Sequence, residues 1–255
     1  MADEQDHYGR VTSQHYDEAY AALRDASGDA AFYLALAREA DGPVLELGCG
    51  TGRILLPIAR AGLPCTGLDL SDAMLGAFRA KNPPANLQLV QGEMQGFDLG
   101  ERRFALITAP FRVFQHLYTV EDQLACLASV RRHLEPGGAF AFDCFWPRLE
   151  RLAVREEPEK EDARWPDGDD EIVRSASVTR THRTQMMQVT MNYDRVRNGQ
   201  RLTRETTTFP MRYFFRYELE HLLARAGFGD VTLYGGFDRS EFGEDSPEMI
   251  FVAKV

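Results

Sequence analysis

The chain has 255 residues, of which 44% are hydrophobic and 27% are charged, and its formal net charge is −10. This balance is typical of one elaborated globular domain, or at most two small ones. The acidic charge argues against nucleic acid or an anionic membrane surface as a partner, and the four cysteines lack metal-ligand spacing, so no metal site is predicted.

The first part of the chain shows helical patterns and then a regular alternation. Helical periodicity predicts an N-terminal helical cap over residues 1–40, in which the second helical stretch is residues 29–40. Strands are predicted at residues 43–47, 64–70, 87–90, 104–108 and 139–145, and helices at residues 54–61, 71–80 and 121–134. Strands that alternate with helices predict a parallel sheet with right-handed crossovers.

A different pattern occupies residues 148–210. Residues 148–170 are charged and proline-rich without a period, which predicts a linker or loop. Three alternating, β-branched runs follow at residues 171–182, 185–196 and 200–209, and predict an antiparallel insertion. Its many arginines allow two interpretations, a local basic patch or charges that alternate with acids on a solvated sheet face. A helix at residues 217–226 and strands at residues 230–234 and 249–255 complete the chain.

The most informative segment is the string ELGCGTGR at residues 46–53. Here a predicted strand enters a glycine-rich turn and then a helix, so backbone N–H groups can face a ligand. Dinucleotide-binding turns use G-x-G-x-x-G, but Arg53 stands where the last glycine belongs. Glu46 would repel a pyrophosphate and attract an ammonium group, which disfavours a nucleotide-dependent oxidoreductase.

This string resembles motif I of the class I S-adenosylmethionine-dependent methyltransferases, in which the turn cradles the methionine part of the cofactor. The resemblance implies that Asp69, at the end of the second strand, accepts from the ribose hydroxyls, and that Met74 packs on the adenine. It also implies an acid near the adenine amino group, where this chain departs from the usual aspartate by having Glu93. The cofactor-binding residues so implied are Glu46, Gly48, Cys49, Gly50, Gly52, Asp69, Leu70, Met74, Gly92, Glu93, Met94 and Ala109.

The resemblance implies an α/β fold, a Rossmann-like seven-stranded methyltransferase sheet whose antiparallel seventh strand lies beside the fifth. The cofactor-binding domain would comprise residues 41–147 and 211–255. The linker and antiparallel β insertion, residues 148–210, would lie between the fifth strand and the following helix. Bacterial small-molecule methyltransferases such as the amino-sugar N-methyltransferases are similar in this respect, and the insertion would serve as a lid or build a homodimer.

The acceptor is expected to be a small molecule, bound where the fourth and fifth strands end. The residues predicted to form its pocket are Phe111, Arg112, Phe114, Trp146, Arg212, Tyr213 and Phe215. Core packing is the other interpretation of Phe111 and Phe114. Nitrogen is slightly favoured over oxygen as the acceptor atom, because the chain resembles amine methyltransferases and carries no certain general base. His116 is the nearest candidate for a base, and its other interpretation is a capping or structural histidine.

Two further expectations concern activity and location. The glycine turn and Asp69 argue against loss of the cofactor but not against loss of activity, so a catalytically silent S-adenosylmethionine-binding protein is the alternative to an active enzyme. The polar N-terminus has no apolar signal core, and no apolar run approaches membrane-spanning length, so a cytoplasmic location is expected.

Overall fold

A computed structural model describes residues 2–24 and 28–255, so that residues 1 and 25–27 of the predicted cap lie outside the described residues. The helices are α1 (Ala2–Arg24), α2 (Asp29–Ala40), α3 (Leu55–Arg60), α4 (Asp72–Ala80), α5 (Val120–His133), α6 (Leu149–Leu152) and α7 (Arg216–Arg225). The strands are β1 (Val44–Leu47), β2 (Cys65–Asp69), β3 (Leu87–Gln91), β4 (Phe104–Ala109), β5 (Leu134–Phe145), β6 (Glu156–Asp167), β7 (Asp170–Thr181), β8 (Met186–Arg197), β9 (Gln200–Arg212), β10 (Asp230–Tyr234) and β11 (Glu248–Lys254). No helix in the described ranges is both long and apolar enough to span a membrane.

The larger sheet has seven strands in the order β10-β11-β5-β4-β1-β2-β3. The strands from β1 to β5 pair in parallel, whereas β11 runs antiparallel to both β5 and β10. This arrangement confirms the predicted Rossmann-like sheet with an antiparallel strand beside the fifth. Because the parallel strands share a direction, their carboxyl ends meet at one edge, where open α/β sheets bind ligands.

Helices cover both faces of this sheet, as the apolar pattern of β1 requires. Successive side chains of a strand point to opposite faces. Leu45 and Leu47 join an apolar cluster with side chains of α5 and α7, whereas Val44 joins another with α2, α3 and α4. The third residue of this strand, Glu46, points to the same face as Val44 and is 2% exposed. A carboxylate is therefore buried at the carboxyl end of the central strand.

The smaller sheet has four strands in the order β6-β7-β8-β9, with antiparallel pairing from β6 to β8. It forms a compact unit with α1, whereas α2 belongs to the unit of the larger sheet. The apolar contacts of the smaller unit join Val11 and Ala19 of α1 to Trp165 and Tyr193. The structure thus divides the predicted 1–40 cap between two units.

The prediction of a linker over residues 148–170 was wrong. This stretch contains α6 and the long strand β6, which pairs with β7 from Glu156 to Asp167. The strand was missed because it shows almost no apolar alternation, with only Ala163 and Trp165 among its buried hydrophobic side chains. Its carboxylates instead form ion pairs with arginines of β7 and β9.

Ion pairs decide between the two interpretations of the arginines in the insertion. Arg174 binds Asp162, Arg180 binds Glu157, and Arg204 binds both Glu159 and Asp194. Further pairs join Arg195 and Arg197 to Asp170, and Arg201 to Asp194. These guanidinium groups are neutralised by carboxylates of the same unit, so they do not form a basic patch.

Replacing Arg174 with alanine should lower the free energy of unfolding by about 1–2 kcal/mol, as measured by chemical denaturation. Arg174 is 3% exposed, makes two hydrogen bonds of 2.9 Å to Asp162 and lies over the Tyr20 ring, so its loss leaves a partly buried carboxylate without its partner. The matched control is Arg164→Ala, which removes two exposed ion pairs, to Glu161 and Glu171, and should lower the free energy of unfolding much less. Equal losses of unfolding free energy in the two variants would contradict the stabilising role given to the Arg174–Asp162 pair.

Candidate functional site

The glycine turn after β1 presents one open backbone position between two packed ones. Gly50 (φ 53°) has no atom within 4 Å of the point where a Cβ would lie. At Gly52 (φ 85°) a Cβ would lie 2.3 Å from the Phe78 ring, and at Gly48 it would lie 2.7 Å from Val113. All three glycines were predicted to lie under a ligand. Two of them are required by packing, and Gly50 leaves room for a ligand.

Asp69 closes the other side of this turn. Its Oδ2 accepts from the Gly50 amide at 2.7 Å and its Oδ1 from the Ser71 amide at 2.8 Å. Burial raises the pKa of Asp69, and these two amides oppose the shift. An ionised carboxylate has about four lone-pair sites in total, so two acceptor sites remain after these bonds. Asp69 therefore fixes the glycine turn and can still accept from ligand hydroxyls.

Glu46 is a buried carboxylate with capacity left for a cation. Its Oε2 has no hydrogen-bond partner among residues 2–24 and 28–255. Burial raises the pKa of Glu46, and the Arg53 guanidinium opposes that shift. Arg53 itself makes hydrogen bonds of 2.9 and 2.7 Å to Asp29. A ligand ammonium group beside Glu46 would satisfy the buried oxygen and stabilise its ionised form.

The ends of β2 and β3 form the next part of the site. The Gly92 amide donates to the Asp69 carbonyl at 3.0 Å, which joins the two strand ends. Leu70 is 42% exposed, Met74 is buried, and Glu93 is exposed. A cavity of about 210 Å³, open to solvent, is lined by Gly92 together with the apolar side chains of Leu68, Val90, Phe97 and Leu99. The ends of β2 and β3, which precede Leu70 and Glu93, are thus adjacent, with apolar surface beside Glu93.

Beyond β4 the chain makes an unusual turn, here called the β4 turn, of Phe111 and Arg112. Both residues are left-handed, with φ of 59° and 65°, a conformation that costs about 1–2 kcal/mol for a residue with a side chain. Asp143 accepts from both of their amides, at 2.7 and 3.1 Å, and from the Tyr33 hydroxyl at 2.7 Å. Sequence reasoning missed Asp143, although an acid within the apolar run 139–145 could have indicated it.

The three stretches predicted to form the acceptor pocket are joined by a residue outside the predicted set. Gln115, fully buried, donates to the Arg212 carbonyl at 2.7 Å and accepts from the Phe145 amide at 3.3 Å. It therefore connects the segment after β4, the end of β5 just before Trp146, and the segment that precedes α7. The 3₁₀ helix Val113–His116 carries Gln115 and ends at the half-buried His116.

Several predicted pocket side chains are held by the protein itself. Arg112 binds Glu248 at 2.8 Å, and Arg212 binds Glu218 at 3.0 Å and the Tyr118 carbonyl at 2.8 Å. These guanidinium groups therefore hold carboxylates of the protein itself.

The predicted aromatic side chains divide between the core and the periphery. Phe114 is 1% exposed and lies 4.8 Å from the Phe142 ring, so the core interpretation describes it. Tyr213 is also buried and contacts the edge of Phe215, whereas the half-buried Trp146 contacts Phe242.

The chain is similar to known methyltransferases in sequence and in fold. Residues 44–138 match the family model described as "Methyltransferase domain". A dTDP-3-amino-3,4,6-trideoxy-α-D-glucopyranose N,N-dimethyltransferase of Streptomyces venezuelae is 37% identical over 103 residues, which cover 40% of this chain and 42% of the relative. The match therefore spans less than half of that relative's length.

Two solved structures are similar over nearly the whole chain. The methyltransferase CcbJ of Streptomyces caelestis is 27% identical, with a TM-score of 0.81 over 97% of each chain. An S-adenosylmethionine-bound amino pentose methyltransferase of Micromonospora echinaspora is 25% identical, with a TM-score of 0.73 over 94% of this chain and 95% of the other. The similarity thus extends beyond the motif region to both sheets.

Proposed function

We propose that this chain, a class I S-adenosylmethionine-dependent methyltransferase by its domain and its fold, methylates a nitrogen atom of a small molecule. The observation that carries the proposal is the pair of carboxylates beside an open glycine. Gly50 leaves space for a ligand, and Asp69 and Glu46 both retain acceptor capacity there. Two carboxylates disfavour a bound pyrophosphate and suit a ligand with an ammonium group and hydroxyls.

These residues fit S-adenosylmethionine, which when bound supplies a methyl group on a positively charged sulfur. Glu46 would attract the ammonium group of its methionine part, and Asp69 would accept from its ribose hydroxyls. Leu70 and Met74 would contact the adenine, with Glu93 near the adenine amino group. The protein's main task is then to hold acceptor and cofactor in line and to exclude water.

Nitrogen is the favoured acceptor atom for two reasons. The similar proteins named above include a sugar N,N-dimethyltransferase and an amino pentose methyltransferase. A neutral amine also needs no general base to attack the methyl group, whereas a hydroxyl acceptor needs one. We therefore propose an amino sugar, carried on a nucleotide or a larger product, as the class of substrate.

The test combines binding with turnover. Isothermal titration with S-adenosylhomocysteine should give a one-to-one complex, and the same titration with NAD should give none. Incubation with S-adenosylmethionine and dTDP-3-amino-3,4,6-trideoxy-α-D-glucopyranose should then add 14 or 28 Da to the sugar by mass spectrometry. NAD binding would favour the oxidoreductase alternative. Cofactor binding with no turnover of any amine or hydroxyl tested would favour a silent binding protein.

Replacing His116 with alanine should lower kcat by less than about threefold if the acceptor is an amine, because no proton has to be removed by the protein. A hydroxyl acceptor that used His116 as its base would instead lose about 10²–10⁴-fold. The measurement is the rate of methyl transfer at saturating cofactor. A loss of that size with unchanged S-adenosylhomocysteine affinity would assign oxygen as the acceptor atom.

Three expectations from the sequence remain predictions. They are a lid or homodimer role for the antiparallel insertion, the division of the chain at residues 147 and 211, and a cytoplasmic location. Sedimentation of the purified chain would test the dimer.

A further inference from the structure

Two buried side chains outside every predicted motif, Tyr33 and Asp143, support the β4 turn. Asp143 is 1% exposed and Tyr33 is fully buried. The carboxylate accepts from the amides of Phe111 and Arg112, and the Tyr33 hydroxyl donates to the same Oδ1 as the Phe111 amide. Consecutive left-handed conformations are uncommon for residues with side chains, and they persist where the surroundings hold them. The turn therefore depends on this carboxylate.

We infer that Asp143 and Tyr33 are positioning residues for methyl transfer, which hold the β4 turn and thereby the acceptor side of the site. This inference deepens the proposed function and rests on it for the catalytic consequence. Asp143 acts through the backbone of Phe111 and Arg112, and Tyr33 acts through Asp143.

Helix α2 connects this support to the cofactor side. Its first residue, Asp29, binds Arg53 just after the glycine turn, and one helical turn later Tyr33 binds Asp143. The Arg53 guanidinium lies 5.2 Å from the centre of the Phe111 ring. One helix thus fixes both the segment that follows the glycine turn and the turn on the acceptor side. In-line transfer depends on the relative placement of these two sides.

The charges around Asp143 make its hydrogen bonds to the β4 turn sensitive to protonation of its carboxyl group. Burial and the Glu248 carboxylate on β11 raise the pKa of Asp143 to about 6, while Tyr33 on α2 and the amides and guanidinium of the β4 turn oppose the shift. Below that pH the carboxyl gains a proton and loses acceptor capacity. The hydrogen bonds to the β4 turn should therefore weaken as the pH falls from 7 to 5.

The direct test uses backbone amide NMR of the whole chain and needs no acceptor. Amide protons that donate to a carboxylate resonate downfield, so the Phe111 and Arg112 signals should lie downfield and should move upfield between pH 7 and 5. In Asp143→Asn both signals should already lie upfield and should no longer titrate near pH 6. Unchanged signals in this variant would overturn the inference.

The kinetic test compares Tyr33→Phe and Asp143→Asn with a matched control. Both variants should lower kcat for the dTDP-amino sugar by about tenfold or more, with the S-adenosylhomocysteine Kd within threefold of the wild type. The control is Asn86→Ala at the opposite edge of the sheet. This change removes two partly buried hydrogen bonds that the Asn86 side chain donates to the carbonyls of Ala59 and Leu63. It should lower the melting temperature but leave kcat unchanged.

The outcomes separate the inference from the proposed function. A wild-type chain that binds no S-adenosylhomocysteine contradicts the proposed function, while the amide test still decides whether Asp143 holds the turn. If Asp143→Asn does not fold, Tyr33→Phe supplies the same measurements, because it removes one hydroxyl only. Tyr33→Phe with unaltered kcat and unaltered amide shifts would refute the positioning role.

Discussion

Replacing Asp69 with alanine should weaken binding of S-adenosylhomocysteine by about 1.5–3 kcal/mol, or about 10–150-fold in Kd. The substitution removes the proposed acceptor for the ribose hydroxyls. It also releases the Gly50 amide, which Asp69 holds at 2.7 Å, so the one open position of the glycine turn loses its support. Isothermal titration at pH 7 measures the effect.

A neighbouring acid provides the control for Asp69. Asp72 lies three residues further along the chain, in the first turn of α4, and pairs with Arg79 at 3.2 Å on the surface. Asp72→Ala changes the net charge by the same amount and should leave the Kd within twofold. Equal losses in the two variants would mean that the effect is one of overall charge, and an unchanged Kd in Asp69→Ala would remove Asp69 from the cofactor site.

Replacing Gly52 with alanine should lower the free energy of unfolding by about 2–5 kcal/mol. The left-handed backbone at this position costs about 1–2 kcal/mol for alanine. The new methyl group would also lie 2.3 Å from the Phe78 ring, which is fully buried, and such overpacking costs about 1–3 kcal/mol more. Urea denaturation followed by circular dichroism would measure the loss.

Gly50→Ala is the matched comparison, because Gly50 is also left-handed but has open space where a Cβ would lie. Its unfolding free energy should fall by only about 1–2 kcal/mol, while its affinity for S-adenosylhomocysteine should fall because the methyl group occupies the ligand's side of the turn. The two variants should therefore separate stability from binding. Loss of affinity without loss of stability in Gly52→Ala would reverse the roles assigned to the two glycines.

The glycine turn after β1 was predictable because the features that define it lie in one short string. Residues 46–53 combine a strand, an acid and a glycine turn, and few local structures satisfy all three at once. The order of strands and the antiparallel strand beside β5 followed from the family resemblance and are confirmed. The sequence did not indicate which glycines are packed and which one is open. The packing neighbours of Gly48 and Gly52 are Val113 and Phe78, which are distant from them in sequence.

The parts that were missed depend on contacts between distant residues. Tyr33 and Asp143 are 110 residues apart, and neither belongs to a local pattern that indicates a turn near residue 111. Strand β6 was read as a linker because its pairing rests on carboxylates and arginines rather than on alternating apolar side chains. Sequence periodicity reports apolar burial, so it does not report a strand stabilised mainly by charge.

The ion pairs of the smaller sheet have a consequence for how the two units respond to solvent. Pairs with an exposed partner, such as those of Arg195 and Arg204, are weakened by mobile ions, whereas the apolar contacts around Phe142 and Phe251 in the larger sheet are not. Guanidinium chloride is both a denaturant and a salt, and urea is uncharged. We therefore expect guanidinium chloride, compared with urea, to destabilise the smaller unit more than the larger one. The stability of the smaller unit should depend on ionic strength, and that of the larger unit should not.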